Sequence, residues 1–137
     1  MVFIDTNIFV YAHDESDIRK AQRARELLLG LKVSQKGCIS TQVIQEFCNV
    51  VLKKSKAPLK AEDVNEIVDE LLIPILAHRP DGLFYKRTLK TYEKYSLSFY
   101  DSAIIQAAID LDCSLVYSED MQNGANYGSV TVVNPFL

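Results

Sequence analysis

Four acids stand out for where they fall in the sequence: Asp5, Glu46, Asp101 and Asp120. Asp5 ends a short apolar run, Val2-Phe3-Ile4, and Asp120 follows a second one, Leu115-Val116-Tyr117, across Ser118-Glu119. Carboxylates just past the C-terminal end of a buried strand lie where open α/β sheets keep their ligands. Clustered carboxylates repel one another, so at neutral pH such a group needs protons or cations. Oxygen-only ligands favour hard divalent ions, Mg²⁺ or Mn²⁺, over zinc. A metal held this way polarises a phosphodiester and lowers the pKa of a bound water, which is enough for hydrolysis of nucleic acid.

Each of these residues also has a plain structural role open to it. Asp5 is placed to cap the segment after it, and Glu46 to be an ordinary helix-surface acid. Ser98-Phe99-Tyr100-Asp101 ahead of an apolar run is a capping box. Ser118, Glu119 and Asp120 suit a solvated turn. Asn7 suits a cap, although its amide could also orient Asp5 or a water. His13 and His78 have no recognisable partner in the sequence, and packing roles are expected for them. The series Tyr85, Tyr92, Tyr95 and Tyr100 reads as amphipathic packing rather than a base-stacking platform.

The elements that must position the acids follow from periodicity. Residues 2–5, 37–40, 113–117 and 130–133 read as short apolar strands. Helical turns are expected over 7–12, broken around 13–16, and a helix over 17–31 carries Ala21, Ala24, Leu27, Leu28 and Leu31 on one stripe. Thr41 is an N-cap for a helix from Gln42 to about Lys56, which Pro58 ends. On that helix Glu46 lies roughly 40° outside Val50, at the border of the apolar arc. A helix over 62–73 should kink or stop at Pro74. Arg79-Pro80-Asp81-Gly82 is a turn, helices span 83–95 and 99–111, and Gln122-Asn123-Gly124 is a further turn. Continuous apolar strands separated by helices predict an α/β fold, a three-layer α/β/α sandwich with a central parallel sheet. Each helix then starts at the sheet edge where the preceding strand ends, so four acids far apart in sequence converge on one rim.

Composition bounds the reading. At 137 residues, 48% hydrophobic and 24% charged, the chain suits a single domain spanning residues 1–137. No apolar stretch approaches the roughly 18 residues of a membrane span, and no basic segment precedes an apolar one at the N-terminus. Cys38, Cys48 and Cys113 are odd in number and widely spaced, which argues against a disulfide framework or a structural zinc site and for a cytoplasmic protein. A net charge of −3 does not of itself favour nucleic acid. Basic residues nevertheless cluster at Arg19, Lys20, Arg23 and Arg25, at Lys53, Lys54, Lys56 and Lys60, and at Lys86, Arg87, Lys90 and Lys94. Such patches either guide a phosphate backbone or are solvated helix faces.

The ordered set is more specific than its members. Phe3-Ile4-Asp5-Thr6-Asn7-Ile8-Phe9, then Glu46 early in a helix, then Leu97-Ser98-Phe99-Tyr100-Asp101-Ser102-Ala103, then Leu115-Val116-Tyr117-Ser118-Glu119-Asp120 resembles the PIN-domain ribonucleases. The ending Glu119-Asp120-Met121-Gln122-Asn123-Gly124 with Asn134-Pro135-Phe136 looks most like small bacterial VapC-type toxins. The resemblance implies a Mg²⁺- or Mn²⁺-dependent endoribonuclease, with Asp5, Glu46 and Asp101 as the core metal-binding acids and Asp120 as a more variable fourth. It implies supporting polar roles for Asn7 and Ser118. It further implies a homodimer inhibited by a cognate antitoxin. A further acid that the family sometimes carries is absent, where Gln122 and Asn123 stand. Competing readings are a non-catalytic RNA-binding or assembly domain, and a phosphatase of the haloacid-dehalogenase type. The latter needs a second Asp at the position of Asn7.

Overall fold

The strand β1 (Val2–Ile4) is buried along its whole length and runs inside the sheet, flanked on both sides. The computed structural model describes residues 1–54 and 57–137. Around β1 lie β2 (Gly37–Ser40), β3 (Leu76–His78), β4 (Leu115–Tyr117), β5 (Asn126–Tyr127) and β6 (Val130–Val133), in the order β3-β2-β1-β4-β6-β5. All neighbours are parallel except β5, which pairs antiparallel with β6. Buried on both faces, Phe3, Ile4, Ile39, Val116 and Val132 explain why the strand runs are apolar without alternation.

The helices are α1 (Thr6–Ala12), α2 (Ile18–Ser34), α3 (Thr41–Asn49), α4 (Ala61–Ile67), α5 (Gly82–Tyr95) and α6 (Phe99–Asp110). They cover a mostly parallel sheet in a three-layer α/β/α arrangement, as the strand and helix pattern predicts. Right-handed crossovers place the helices between β1 and β3 on one face, and α5 with α6 on the other, because the chain reverses direction across the sheet after β3. Helix α6 is buried from Ser102 through Ala108. A helix apolar on every side belongs in an interior, and its polar members there are satisfied: Ser102 Oγ donates to Ser98 O at 2.7 Å, and Gln106 Oε1 accepts from Thr91 Oγ1 at 2.6 Å.

Several boundaries differ from the sequence expectation. The helix expected over 17–31 runs on to Ser34, where Gln35 adopts a left-handed cap conformation with φ 59°. The helix expected from Gln42 to about Lys56 is α3 followed by a wider π-helical segment, Val50–Lys54; its expected end at Lys56 lies outside the described residues. Helix 62–73 is α4, then π-helical Val68–Leu72, then a 3₁₀ turn at Ile73–Ile75 containing Pro74. Proline ends the ladder because it lacks an N–H, and the chain leaves extended as β3. Neither that strand nor β5 stands out in the sequence: unlike β1 and β4 they are not continuous apolar runs, Leu76-Ala77-His78 ending in a histidine and Asn126-Tyr127 opening on an amide. Strand β4 starts at Leu115 rather than at Cys113, which lies in the connection. In the β5–β6 hairpin Gly128 takes the first turn position with φ 63°, a conformation costly for residues bearing a Cβ.

Phe47 anchors α3 in the core, where it is fully buried. Phe47→Ala should destabilise the fold by about 3–5 kcal/mol. An unchanged midpoint in urea denaturation would show that α3 is not anchored this way.

Candidate functional site

The chain runs from β1 outward to β2 and β3, then returns to place β4 on the other side of β1. The C-terminal ends of β1 and β4 therefore flank the point where strand order reverses, the position at which open α/β sheets form a crevice. Asp5 stands at the end of β1, its N–H bonded to Tyr117 O of β4 at 3.0 Å. It caps α1, with its Oδ1 accepting from Thr6 N at 2.7 Å. Capping does not use it up. Its Oδ2 accepts from Ser118 Oγ at 2.7 Å, directly across from β4.

From Asp5 a chain of hydrogen bonds runs along the rim. Thr6 Oγ1 donates to Glu46 Oε2 at 2.7 Å, and Gln42 Nε2 donates to Glu46 Oε1 at 2.8 Å. Gln42 Nε2 also reaches Tyr100 O at 3.2 Å, next to Asp101. On the other side Ser118 Oγ accepts from Asp120 N at 3.2 Å, and Asn7 Nδ2 donates to Asp120 Oδ2 at 3.0 Å. Asp5 is buried, Glu46 and Asp101 are half-buried, and Asp120 is exposed. The capping box at Ser98 forms, with Asp101 N donating to Ser98 Oγ at 3.1 Å.

The carboxyls of this rim act on one another. Burial pushes the Asp5 carboxyl up to about 7 from the ordinary 3.8; hydrogen bonds from Ser118 and Thr6 oppose this, and the negative charges of Glu46 and Asp120 add to it. Burial also raises the Asp101 carboxyl, with Ser98 opposing and the charges of Asp120 and Glu46 adding. The four acids singled out in the sequence thus share one electrostatic neighbourhood. Among the described residues, however, no three acidic, histidine or cysteine side chains already stand as an ion cage. The carboxylates of Asp5, Glu46 and Asp120 are held instead by Ser118, by Thr6 with Gln42, and by Asn7.

The donor set fits a hard divalent ion. All its ligand atoms are oxygens, and Asn7 Oδ1 is a buried acceptor without a hydrogen-bond partner at the same rim. Asp5, Glu46, Asp101 and Asp120 would hold such an ion by exchanging hydrogen bonds to neighbouring side chains for bonds to metal.

Other expectations change. Asn7 orients Asp120, not Asp5; Ser118 orients Asp5. Thr6 and Gln42 were not singled out, although Gln42 precedes Glu46 by one helical turn, a spacing that pairs side chains. Glu119 turns away to an ion pair with Lys20, and Lys20 also reaches Tyr11 Oη at 3.3 Å. The Arg19–Arg25 basic cluster is largely engaged within the fold. Arg19 donates to Phe136 O and Arg23 to Pro135 O, both at 3.0 Å, while Arg25 donates to Ala12 O at 2.8 Å. His13 packs as expected, its Nδ1 2.8 Å from Phe9 O, but His78 has a partner after all in Asp110, at 3.2 Å. Of the tyrosine series only Tyr95 packs face-to-edge on another tyrosine, Tyr127; Tyr85, Tyr92 and Tyr100 are exposed.

A carboxyl whose pKa is higher folded than unfolded favours folding when protonated. Its contribution is complete below the unfolded value and is lost as pH rises through the folded one. In EDTA, stability should therefore fall between about pH 4 and pH 7, on the order of 4 kcal/mol from Asp5 alone. Asp5→Asn should flatten that profile in urea titrations at stepped pH. Equal slopes for the two proteins would locate the pH dependence elsewhere.

Comparison with known proteins agrees with this architecture. A sequence model of the PIN domain matches residues 2–122. No curated protein matches significantly. Among solved structures, FitAB bound to a DNA fragment aligns with TM-score 0.69 at 19% identity, covering 100% of this chain and 96% of that one. VapC20 of Mycobacterium tuberculosis, described as a sarcin–ricin loop cleaving toxin, aligns with TM-score 0.66 at 14% identity over 88% of this chain and 90% of that one. A toxin–antitoxin complex from Klebsiella pneumoniae gives TM-score 0.66 at 16% identity, over 98% of each chain. The fold is the one these structures share. With the match spanning nearly its whole length, the chain belongs to the PIN-domain family.

Proposed function

We propose that the chain is a Mg²⁺- or Mn²⁺-dependent endoribonuclease, the toxin of a toxin–antitoxin pair, acting as a cytoplasmic homodimer of single-domain subunits and restrained by an antitoxin protein. The observation that carries the catalytic reading is the rim itself: Asp5 and Asp101 are both raised first by burial and further by the charges of Glu46 and Asp120, at the switch point of a PIN-family sheet. In this reading Asp5, Glu46, Asp101 and Asp120 hold the metal. Ser118 and Asn7 orient Asp5 and Asp120, and Thr6 with Gln42 orients Glu46. When bound, a divalent ion supplies positive charge for the phosphodiester and a water of lowered pKa.

The toxin assignment draws support from two neighbours of the same fold, one described as a cleaving toxin and one as a toxin–antitoxin complex. Three free cysteines, Cys38, Cys48 and Cys113, suit a reducing compartment. Among the described residues no helix is long and apolar enough to cross a membrane.

Asp5→Asn and Asp101→Asn should each reduce Mn²⁺-dependent RNA cleavage to background, with circular dichroism unchanged. Cleavage at the wild-type rate by Asp5→Asn would overturn the assignment. Retained RNA binding without cleavage by the wild-type protein in Mg²⁺ and Mn²⁺ would favour a non-catalytic binding domain instead.

A further inference from the structure

Beside the acidic rim lies a small cleft between the ends of β2 and β3 and the starts of α3 and α6. Its volume is ≈ 100 Å³, and Ser40, Gln42, His78, Tyr85, Phe99 and Tyr100 are among its lining residues. At roughly 30 Å³ per water, that is the space of about three waters, or of one small ring. Ser40 and His78 are register partners at the ends of their strands, 4% and 8% exposed. Ser40 Oγ and His78 Nδ1 are buried and without hydrogen-bond partners; the third such atom among the described residues is Asn7 Oδ1. Leaving buried polar atoms unpaired is costly, and here two of them belong to residues that line one cleft.

Their chemistry is directional. Asp110 accepts from Arg87 at 3.2 and 2.7 Å and from Gln106 at 2.9 Å, and lies 3.2 Å from His78 Nε2. Burial alone would raise the Asp110 carboxyl, but the hydrogen bonds from Arg87, Gln106 and His78 together with the charge of Arg87 hold it below its ordinary value. A carboxylate can only accept, so in the neutral imidazole Nε2 carries the proton toward it and Nδ1 is left as an acceptor. Ser40 Oγ can donate or accept. The cleft thus asks for an N–H donor with a second polar atom beside it, on a flat body lying among aromatic rings. A backbone phosphodiester, which presents only acceptors at neutral pH, does not satisfy Nδ1.

We propose that this cleft is a nucleobase subsite of the proposed ribonuclease, taking a pyrimidine of the RNA by its hydrogen-bonding edge. An N–H beside a carbonyl or ring nitrogen is what such an edge offers, and exposed Tyr85, Phe99 and Tyr100 supply stacking surfaces at the mouth. Gln42 connects the cleft to the acids, lining it while donating to Glu46. A base held here lies next to the rim where the proposed chemistry occurs. The inference rests on the ribonuclease reading and adds a base preference to it.

The test measures binding of labelled hexauridylate, hexacytidylate, hexaadenylate and an abasic ribose-phosphate hexamer by fluorescence anisotropy in Ca²⁺, with cleavage of RNA in Mn²⁺ assayed in parallel. The wild-type protein should bind a pyrimidine hexamer about tenfold more tightly than the purine and abasic ones. Ser40→Ala should erase that preference while leaving the abasic hexamer's affinity unchanged; its thermal midpoint should be preserved, since Ser40 Oγ makes no bond to lose. Ser40→Val, which fills the cleft, should do the same. Equal binding of all four hexamers by the wild type, or a preference retained in Ser40→Ala, overturns the subsite. Cleavage without base preference leaves the ribonuclease reading standing, whereas absence of both binding and cleavage removes both.

Discussion

Asp5 is a carboxylate placed at the buried end of an inner strand, and most of what surrounds it compensates for that placement. Taking the charge out of water disfavours it, and two neighbouring carboxylates disfavour it further. The hydroxyl of Ser118 and the backbone N–H of Thr6 offset part of this. Both donors come from segments that immediately follow β1 or β4, so the sheet that buries Asp5 also supplies the groups that make its burial tolerable. A protein selected for stability alone would have a neutral cap there. The retained charge makes sense where a cation or a reacting group completes the site.

The polar side chains of the rim form a connected set rather than isolated caps. Thr6 joins Asp5 to Glu46, Gln42 joins Glu46 to the start of α6, and Ser118 with Asn7 joins Asp5 to Asp120. Asp5, Glu46 and Asp120 are therefore each oriented by a neighbour with its own anchor in a helix or strand. The basic residues contribute differently. Arg19 and Arg23 bind the carbonyls of Phe136 and Pro135, and Lys20 holds Glu119, so this face of α2 ties the C-terminal segment and the loop after β4 to the body of the fold. What a composition-level reading would assign to substrate attraction is here, in good part, internal architecture.

How much was legible in advance depends on the range of the signal. Short apolar runs and 3.6-residue periodicity gave the layered α/β architecture and most helices, because burial on both faces of a parallel sheet leaves a mark on every strand residue. The extra strands β3 and β5 carry no such mark: Leu76-Ala77-His78 and Asn126-Tyr127 are only partly buried and are not continuous apolar runs, and the partner of β3 lies far back along the chain in β2. Asp5 and Asp120 were visible because an acid directly after an apolar strand is a local anomaly. Thr6, a small residue beside a conspicuous acid, carried no such mark.

The sequence by itself determined the order of the helices and of four of the six strands, the rim on which the acids had to emerge, and the family to which their ordered spacing belongs. Tertiary structure decided the partners. That Asn7 serves Asp120 and Ser118 serves Asp5, that Lys20 takes Glu119 out of the acidic set, and that His78 is held by Asp110 are all contacts across large sequence separations. Hydrogen bonds form only within about 3 Å and at favourable angles. No residue type or spacing specifies such distances until the sheet has brought its strand ends together.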